Sequence, residues 1–464
     1  EAQLTAIREE SKKEVRAEQK AAWQAVRSAL DGERDTAVEL LKAVPNCTER
    51  AEALARVSDP IRRDVHSEVR QALHATAGEV SEPRTALRRW LEVQQDRCAL
   101  LFGGHLHVSG ELDALNVPPV APSYDGAEEV DGRIILRDNF KALFERYPEV
   151  LTFGEDTGRI GGVNQAMEGM QDAFGVDRVA DTGIRECTIM GPGIGMAMRG
   201  LRPIAEIQYL DYLYYALQIM RDDLATVHYR SGGTQRAPLI VRTRGHRLEG
   251  IWHAGSPMGA IVHSVRGMHV CVPRNMTEAS GMYNTLMAAG EPALVVECLN
   301  GYRSKELLPS NLGEFKVPLG IPEVVRQGAD LTVVSYGSTL NVCIQAAERL
   351  ADLDVEVEVV DVRTLLPFDL NGTIVESVSK THRVLFVDED VPGGASAFMM
   401  ERSLSSGELW KHLDAAPEAL AASPHLPAYG TDGDYFSKPS IEDIIERAYA
   451  MVAESDPTSY PDLL

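Results

Sequence analysis

Cysteine is scarce in this chain of 464 residues. There are six: Cys47, Cys98, Cys187, Cys271, Cys298 and Cys343. No two stand in a C-x-x-C pair, which excludes a zinc knuckle and a redox dithiol. Several lie in apolar stretches such as HVCVP, so reduced, buried thiols of a cytoplasmic protein are expected. No run of about 18 apolar residues appears, and no membrane span is predicted. The opening EAQLTAIREESKKEVRAEQK is charged throughout and lacks the apolar stretch of a signal peptide. It begins on Glu rather than Met, as expected of a processed or partial product. Positive charge is in deficit: 46 Lys and Arg face 69 Asp and Glu, a net charge of −23, with nearly all the excess after residue 100. Such a surface repels phosphate backbones and excludes general nucleic-acid binding. It serves solubility and is compatible with a basic protein partner. The chain also lacks solenoid repeats and low-complexity blocks. At this length it makes about two to four domains with ample core.

Residues 1–114 read as helices, with Ala, Leu, Val and Trp at three- and four-residue spacing among alternating charges. SDPIRRDV and SEPRTALRRW each place Ser and Pro ahead of a helical pattern. His105 and His107 in GGHLHV would share one face of a strand as a metal-ligand pair. No third ligand adjoins them in sequence, and no metal site is predicted. Residues 115–132, LNVPPVAPSYDGAEEVDG, read as an extended linker. Beyond it, short apolar runs (EVLTF, RPIAEI, APLIVRT, GMHVCVP, PALVVEC) alternate with helical patterns near 165–173, 210–230, 256–264 and 277–289. That alternation predicts parallel strands with crossover helices, an α/β domain over 133–322. A second α/β unit over 323–464 carries DLTVVSYG, VEVEVVDV and HRVLFVDED, with a closing helix around 440–453.

Chemistry concentrates in GEDTGRIGGVNQAMEG and in DTGIRECTIMGPGIGMAMRGLRPIAEIQYLDYL. Gly191, Gly193 and Gly195 open a helix, which suits either close ligand approach or tight helix packing. Glu186 immediately precedes them. A carboxylate there complements the helix dipole, or in a cofactor cleft it holds and exchanges a proton. The aromatics of YLDYLYY suit a core. His246 and His253, with two arginines, occupy TRGHRLEGIWHAGSP, a loop leaving the carboxyl end of a strand, where open α/β sheets place ligands.

FGED, DTGIRE before a Gly-rich helix, RPIAEIQYLDY, GIWHAGSP and VPRNM together resemble the beta subunit of thiamine-diphosphate-dependent 2-oxoacid dehydrogenases of the pyruvate and branched-chain type. LTVVSYGST, VEVVDVRTLLPFD and VLFVDEDVPGG resemble that family's C-terminal transketolase-like domain. The resemblance runs from about residue 133 to the end. The helical segment resembles the tail of a variant in which alpha and beta regions are fused. The resemblance implies two transketolase-like α/β domains, pyrimidine-binding and C-terminal, preceded by a helical segment. The family's GDG diphosphate motif and its following Asn are missing; TDGDYF lies in the wrong domain. The chain is therefore expected to hold only the pyrimidine half of a thiamine diphosphate site, with Mg²⁺ coming from an alpha-type region.

The resemblance assigns roles residue by residue. Glu186 corresponds to the glutamate that hydrogen-bonds the aminopyrimidine and promotes loss of the thiazolium proton. Tyr212 corresponds to an aromatic lining the pyrimidine pocket, with Gln208 a helical turn away. Glu155, with Asp156, shapes the cofactor pocket or partner contacts. His253 corresponds to the histidine of acyl transfer to lipoamide. His246 is a second candidate for that role, and with Arg247 it is assigned to a substrate or lipoyl channel. The implied partners are an alpha-type region, a second copy through the beta domains, and an acyltransferase core with its lipoyl domain. A transketolase-type transferase and a non-catalytic scaffold are the rival readings.

Overall fold

The computed structural model describes residues 1–126, 128–247, 250–406 and 408–463. Residue 127 of the predicted linker and residues 248 and 249 of the two-histidine loop lie outside them. The chain divides into two compact units, Glu1–Gly104 and His105–Leu464.

The first unit consists of the helices Ala2–Ala43, Thr48–Ala55, Arg62–Ala75 and Glu82–Gly103. The helices Arg62–Ala75 and Glu82–Gly103 begin just after the two Ser and Pro signals, although only Ser81 acts as a cap. The Ser81 hydroxyl accepts from the Arg84 amide, with Pro83 in the first turn, and Asp64 accepts from the Ile61 amide. Leu41, Leu54, Val65, Val69 and Leu87 form the core, while Leu4, Ile7, Val15 and Trp23 of the long first helix stay exposed. Residues 105–114, read in sequence as the end of the helical segment, belong to the second unit and carry only short helical turns.

The second unit is built on two larger sheets. One has seven strands in the order Thr364–Leu366, His269–Cys271, Ala293–Cys298, Ile240–Gly245, Arg202–Glu206, Val150–Gly154 and Val179–Asp181. All are parallel except Thr364–Leu366. The other has five, in the order Glu418–Leu420, Val384–Val387, Leu331–Ser335, Val357–Asp361 and Glu323–Arg326, the last antiparallel. Every residue of Ile240–Gly245 and Ala293–Cys298 is buried, as central strands of a mainly parallel sheet should be. Thr364–Leu366 comes from the C-terminal half of the chain and edges the first sheet, so VEVVDVRTLLPFD contributes one strand to each sheet.

Three expectations change on folding. The helix expected near 165–173 shrinks to Met170–Phe174, because Gln165 and Gly169 adopt left-handed backbone that a right-handed helix cannot include. The helix expected near 210–230 forms as successive short 3₁₀, α and π segments over 210–224 and a last α turn, Val227–Arg230. Asp211 there bonds the Gly255 amide and Tyr212 meets His253, so this stretch follows the neighbouring loop. The predicted linker is extended but anchored: Val120 bridges Lys316, Ser123 donates to Asn311, and Glu129–Asp131 pairs with Lys305–Leu307.

A charged network crosses the middle of the seven-stranded sheet. Strand register sets Glu206 opposite Arg242 and Arg244 opposite Glu297. Arg242 and Arg244 are two residues apart and share a face. Arg242 grips Glu297 through two hydrogen bonds of 2.7 and 3.1 Å and also pairs with Glu206, while Arg244 reaches Glu206 at 2.7 Å. Tyr283 and Tyr302 donate to Glu297. All four charged side chains are fully buried. Burial alone would lower the Arg242 pKa, but Glu297 and Glu206 hold it above the ordinary value.

Candidate active site at the strand ends

Four neighbouring parallel strands deliver the predicted residues from their carboxyl ends, where sheets of this kind bind ligands. Val150–Gly154 leads into Glu155 and Asp156. Val179–Asp181 leads to the helix Glu186–Met198, whose first residue is Glu186. Arg202–Glu206 leads to Gln208, Tyr209 and Tyr212, and Ile240–Gly245 leads to His246, Arg247 and on to His253. Gly154 is required at its turn: a Cβ there would stand 2.6 Å from the Glu206 carbonyl oxygen.

The structure brings five of the predicted residues together. Gln208 Nε2 lies 3.4 Å from both the Glu155 carbonyl and Asp156 Oδ2. Arg244 of the buried network fixes the Gln208 carbonyl at 3.0 Å. The Tyr212 hydroxyl is 2.9 Å from His253 Nε2, and the Tyr209 ring packs 4.3 Å from the His253 ring. Burial raises the Glu155 carboxyl above its usual range, and the nearby charges of Asp156 and Glu186 raise it further. The Tyr212 phenol is raised by burial and then by Tyr209, Glu155, Asp211 and Glu186. Glu155, Glu186, Tyr212 and His253 are all half-buried, as groups lining an accessible cleft are.

His246 and Arg247 serve a different neighbourhood. His246 is buried, with Nδ1 2.5 Å from Ser256 Oγ and its ring 5.4 Å from that of Tyr336. Arg247 forms an ion pair with Glu389 at 2.7 Å and reaches Asp434 at 3.4 Å, and Lys438 also faces Glu389. Burial would raise Glu389, but Arg247 and Lys438 hold it down at about 2. Sequence reasoning missed Asp211 and Tyr209. Asp211 accepts from the Gly255 amide at 3.1 Å and so pins the His253 loop; its only signal was an acid inside an aromatic run.

A prediction arises from His246. Burial pushes its imidazole down to about 4. The folded value lies below the unfolded one of about 6.5, so the neutral ring contributes stability that is complete above that pH and lost as pH falls toward 4. Asp388, buried and bonded by Tyr336, is pushed up to about 6 and acts with the opposite sign: its contribution is lost as pH rises from about 4 to 6. Comparison of variants separates the two. His246→Asn should flatten the acid slope of stability between pH 6.5 and 4 by up to about 3 kcal/mol, read from urea midpoints. Identical slopes in variant and wild type would refute the assignment.

The residues at the strand ends fit the pyrimidine end of thiamine diphosphate. They offer a half-buried carboxylate at the start of a 13-residue helix, beside tyrosine rings, in a cleft of carboxyl groups and one imidazole. They do not offer the GDG-and-Asn motif through which the family holds a diphosphate-bound Mg²⁺. Among the described residues, the group of three able to hold a metal is elsewhere.

Comparison with known proteins agrees with this architecture. Residues 128–304 match the family described as "Transketolase, pyrimidine binding domain", and residues 320–435 match "Transketolase, C-terminal domain". The second unit is thus an α/β pair of transketolase-like domains, preceded in the chain by the helical segment. The chain is 35% identical over 325 residues to the pyruvate dehydrogenase E1 component subunit beta of Staphylococcus epidermidis, covering 68% of this chain and 96% of that one. It is 36% identical over 290 residues to the 2-oxoisovalerate dehydrogenase subunit beta of Bacillus subtilis, covering 62% and 87%. A solved split-gene transketolase, described as an inactive beta4 tetramer, shares the fold with a TM-score of 0.57 at 18% identity, covering 70% of this chain and 99% of that one. The chain belongs to the family of 2-oxoacid dehydrogenase E1 beta subunits. No helix among the described residues is long and apolar enough to cross a membrane.

Proposed function

We propose that this chain supplies the pyrimidine half of the active site of an E1 component that decarboxylates a 2-oxoacid and passes the acyl group to lipoamide. The convergence of Glu186, Glu155, Tyr212 and His253 at the strand ends carries this reading. When bound, thiamine diphosphate supplies an acidic thiazolium carbon that adds to a 2-oxo group and a cationic ring that receives the electrons released with carbon dioxide. Glu186 holds a proton at the ring nitrogen of the aminopyrimidine. Tyr209 and Tyr212 wall the pocket, and Gln208, fixed through Arg244, shapes its floor. Asp211 positions the loop that presents His253, whose imidazole moves a proton to or from the thiol of the acyl acceptor.

The diphosphate and its Mg²⁺ fall to an alpha-type region, and a second copy completes the assembly. Ile160, Ile184, Tyr214, Tyr215 and Trp252 near the strand ends are exposed, and Gly191 and Gly195 have open space before them. Both features support burial against a partner. The acidic surface supports docking to a basic segment of an acyltransferase core.

Calorimetry with thiamine diphosphate and Mg²⁺ tests the half-site. The chain alone should bind at least about 100-fold more weakly than the chain reconstituted with an alpha-type partner, the difference of about 2.7 kcal/mol that a lost anchor implies. Tight Mg²⁺-dependent binding by the chain alone would refute the half-site. A loaded complex that decarboxylates no 2-oxoacid would refute the activity.

The role of His253 has its own test. His253→Ala should slow acyl transfer to lipoamide by about 100-fold or more, the usual weight of a positioned acid–base group. Decarboxylation coupled to an artificial electron acceptor should fall far less. Equal losses in the two half-reactions would remove His253 from the transfer step.

A further inference from the structure

Folding separates the two histidines of GGHLHV. The His105 carbonyl lies 2.8 Å from His228 Nδ1, and its ring faces that of His228. His107 instead meets the strand His269–Cys271 and the turn that enters the strand Ala293–Cys298. There His107 Nδ1 lies 3.1 Å from Glu291 Oε1, and His269 Nε2 lies 2.9 Å from Glu291 Oε2. The two imidazole rings are 5.3 Å apart. Ligand atoms from all three residues lie within 4.8 Å of one another. Three N and O donors around one tetrahedral zinc stand about 3.3 Å apart, so small side-chain adjustments close the set.

Two further observations point to an ion. His269 is 2% exposed. Its Nε2 is close to Glu291 but lacks hydrogen-bond alignment, and its Nδ1 has no hydrogen-bond partner among the described residues. An imidazole so buried usually has its nitrogens engaged. Glu291, 1% exposed, accepts from the Val108 amide at 3.1 Å and the Ala114 amide at 2.8 Å. These two amide hydrogen bonds fix the carboxylate in place, and each oxygen keeps a second lone pair. The side chain of His107 is 43% exposed, which leaves one position of the site open to water.

We propose that His107, His269 and Glu291 form a site for a first-row divalent cation, Zn²⁺ above all, that clamps residues 105–116 to the amino-terminal edge of the seven-stranded sheet. His269 opens its strand and Glu291 precedes the next one. The site therefore lies at the opposite end of the strands from Glu186 and His253. Two imidazoles and a carboxylate with one position for water make a donor set that suits zinc. Its place in the fold gives it a structural role rather than one in the reaction.

The test uses the full chain without an affinity tag, stripped with chelator and equilibrated with Zn²⁺ or Co²⁺. One Zn²⁺ per chain should bind with micromolar affinity or better. Co²⁺ should give visible d–d bands without a thiolate charge-transfer band. His107→Gln, at a half-exposed position that the fold tolerates, should weaken binding by about 10- to 100-fold, as should Glu291→Gln in protein whose circular dichroism is native. Zinc should raise the melting temperature of the wild type and not of His107→Gln. Three results would overturn the proposal. They are substoichiometric binding at about ten times the expected micromolar concentration, a thiolate band, or affinity unchanged by His107→Gln. The first would leave the trio as a hydrogen-bonded tether only.

Discussion

Glu186→Gln should leave the fold intact and slow hydrogen–deuterium exchange at the thiazolium carbon by about 10²–10⁴-fold in the complex reconstituted with an alpha-type partner. The amide matches the carboxyl in size and can still accept or donate a hydrogen bond, but it cannot exchange a proton at the aminopyrimidine nitrogen. Glu186 is half-buried at the start of its helix, beside Glu155 and within electrostatic reach of Tyr212, so its substitution changes no packed core. Cofactor affinity should fall far less than the exchange rate. Exchange at the wild-type rate would remove Glu186 from the proton path. A matched loss of binding and exchange would make it a cofactor anchor instead.

The second large effect is one of stability. Arg242→Leu removes both hydrogen bonds to Glu297 and the pairing with Glu206, leaving Glu297 buried with only tyrosine donors. An uncompensated buried charge costs about 3–5 kcal/mol. Arg242→Lys should recover only part of this, since an ammonium cannot reproduce the two-pronged grip. The loss should appear in the denaturation midpoint of the full chain. It should also loosen the strand ends, because Arg244 in the same network fixes the Gln208 carbonyl. A destabilisation below about 1 kcal/mol would mean that the neighbouring groups satisfy Glu297 unaided.

How legible these features were in the sequence depended on how local their causes are. The strands at 150–154, 202–206, 240–245 and 293–298 were visible as short apolar runs, and the helices at 276–288, 337–351 and 441–453 as apolar periodicity. Glu186 was legible as an acid ahead of a glycine-rich helix, and His253 as a polar residue in a loop at a strand's carboxyl end. The helix expected near 210–230 was legible, but its irregular 3₁₀, α and π course was not, because Asp211 and Tyr212 take partners more than 40 residues away. Arg242 and Arg244 stood in plain view in APLIVRTRG. Their partners come from two other strands, so the network could not be read from any one segment.

The sequence alone determined the α/β alternation, the family resemblance and most of the residues that gather at the strand ends, Tyr209 and Asp211 excepted, since each rests on local pattern or motif order. Tertiary structure decided which of those residues meet. It joined Tyr212 to His253 and turned His246 toward Tyr336. It paired Thr364–Leu366 with the first sheet rather than the second, and it brought Glu291 and His269 to His107. The reason is strand register. Parallel neighbours are joined by long crossovers, so strand pairing sets Glu206 beside Arg242 and brings the loops at the strand ends together, with His107 meeting Glu291 184 positions away, which no local periodicity encodes.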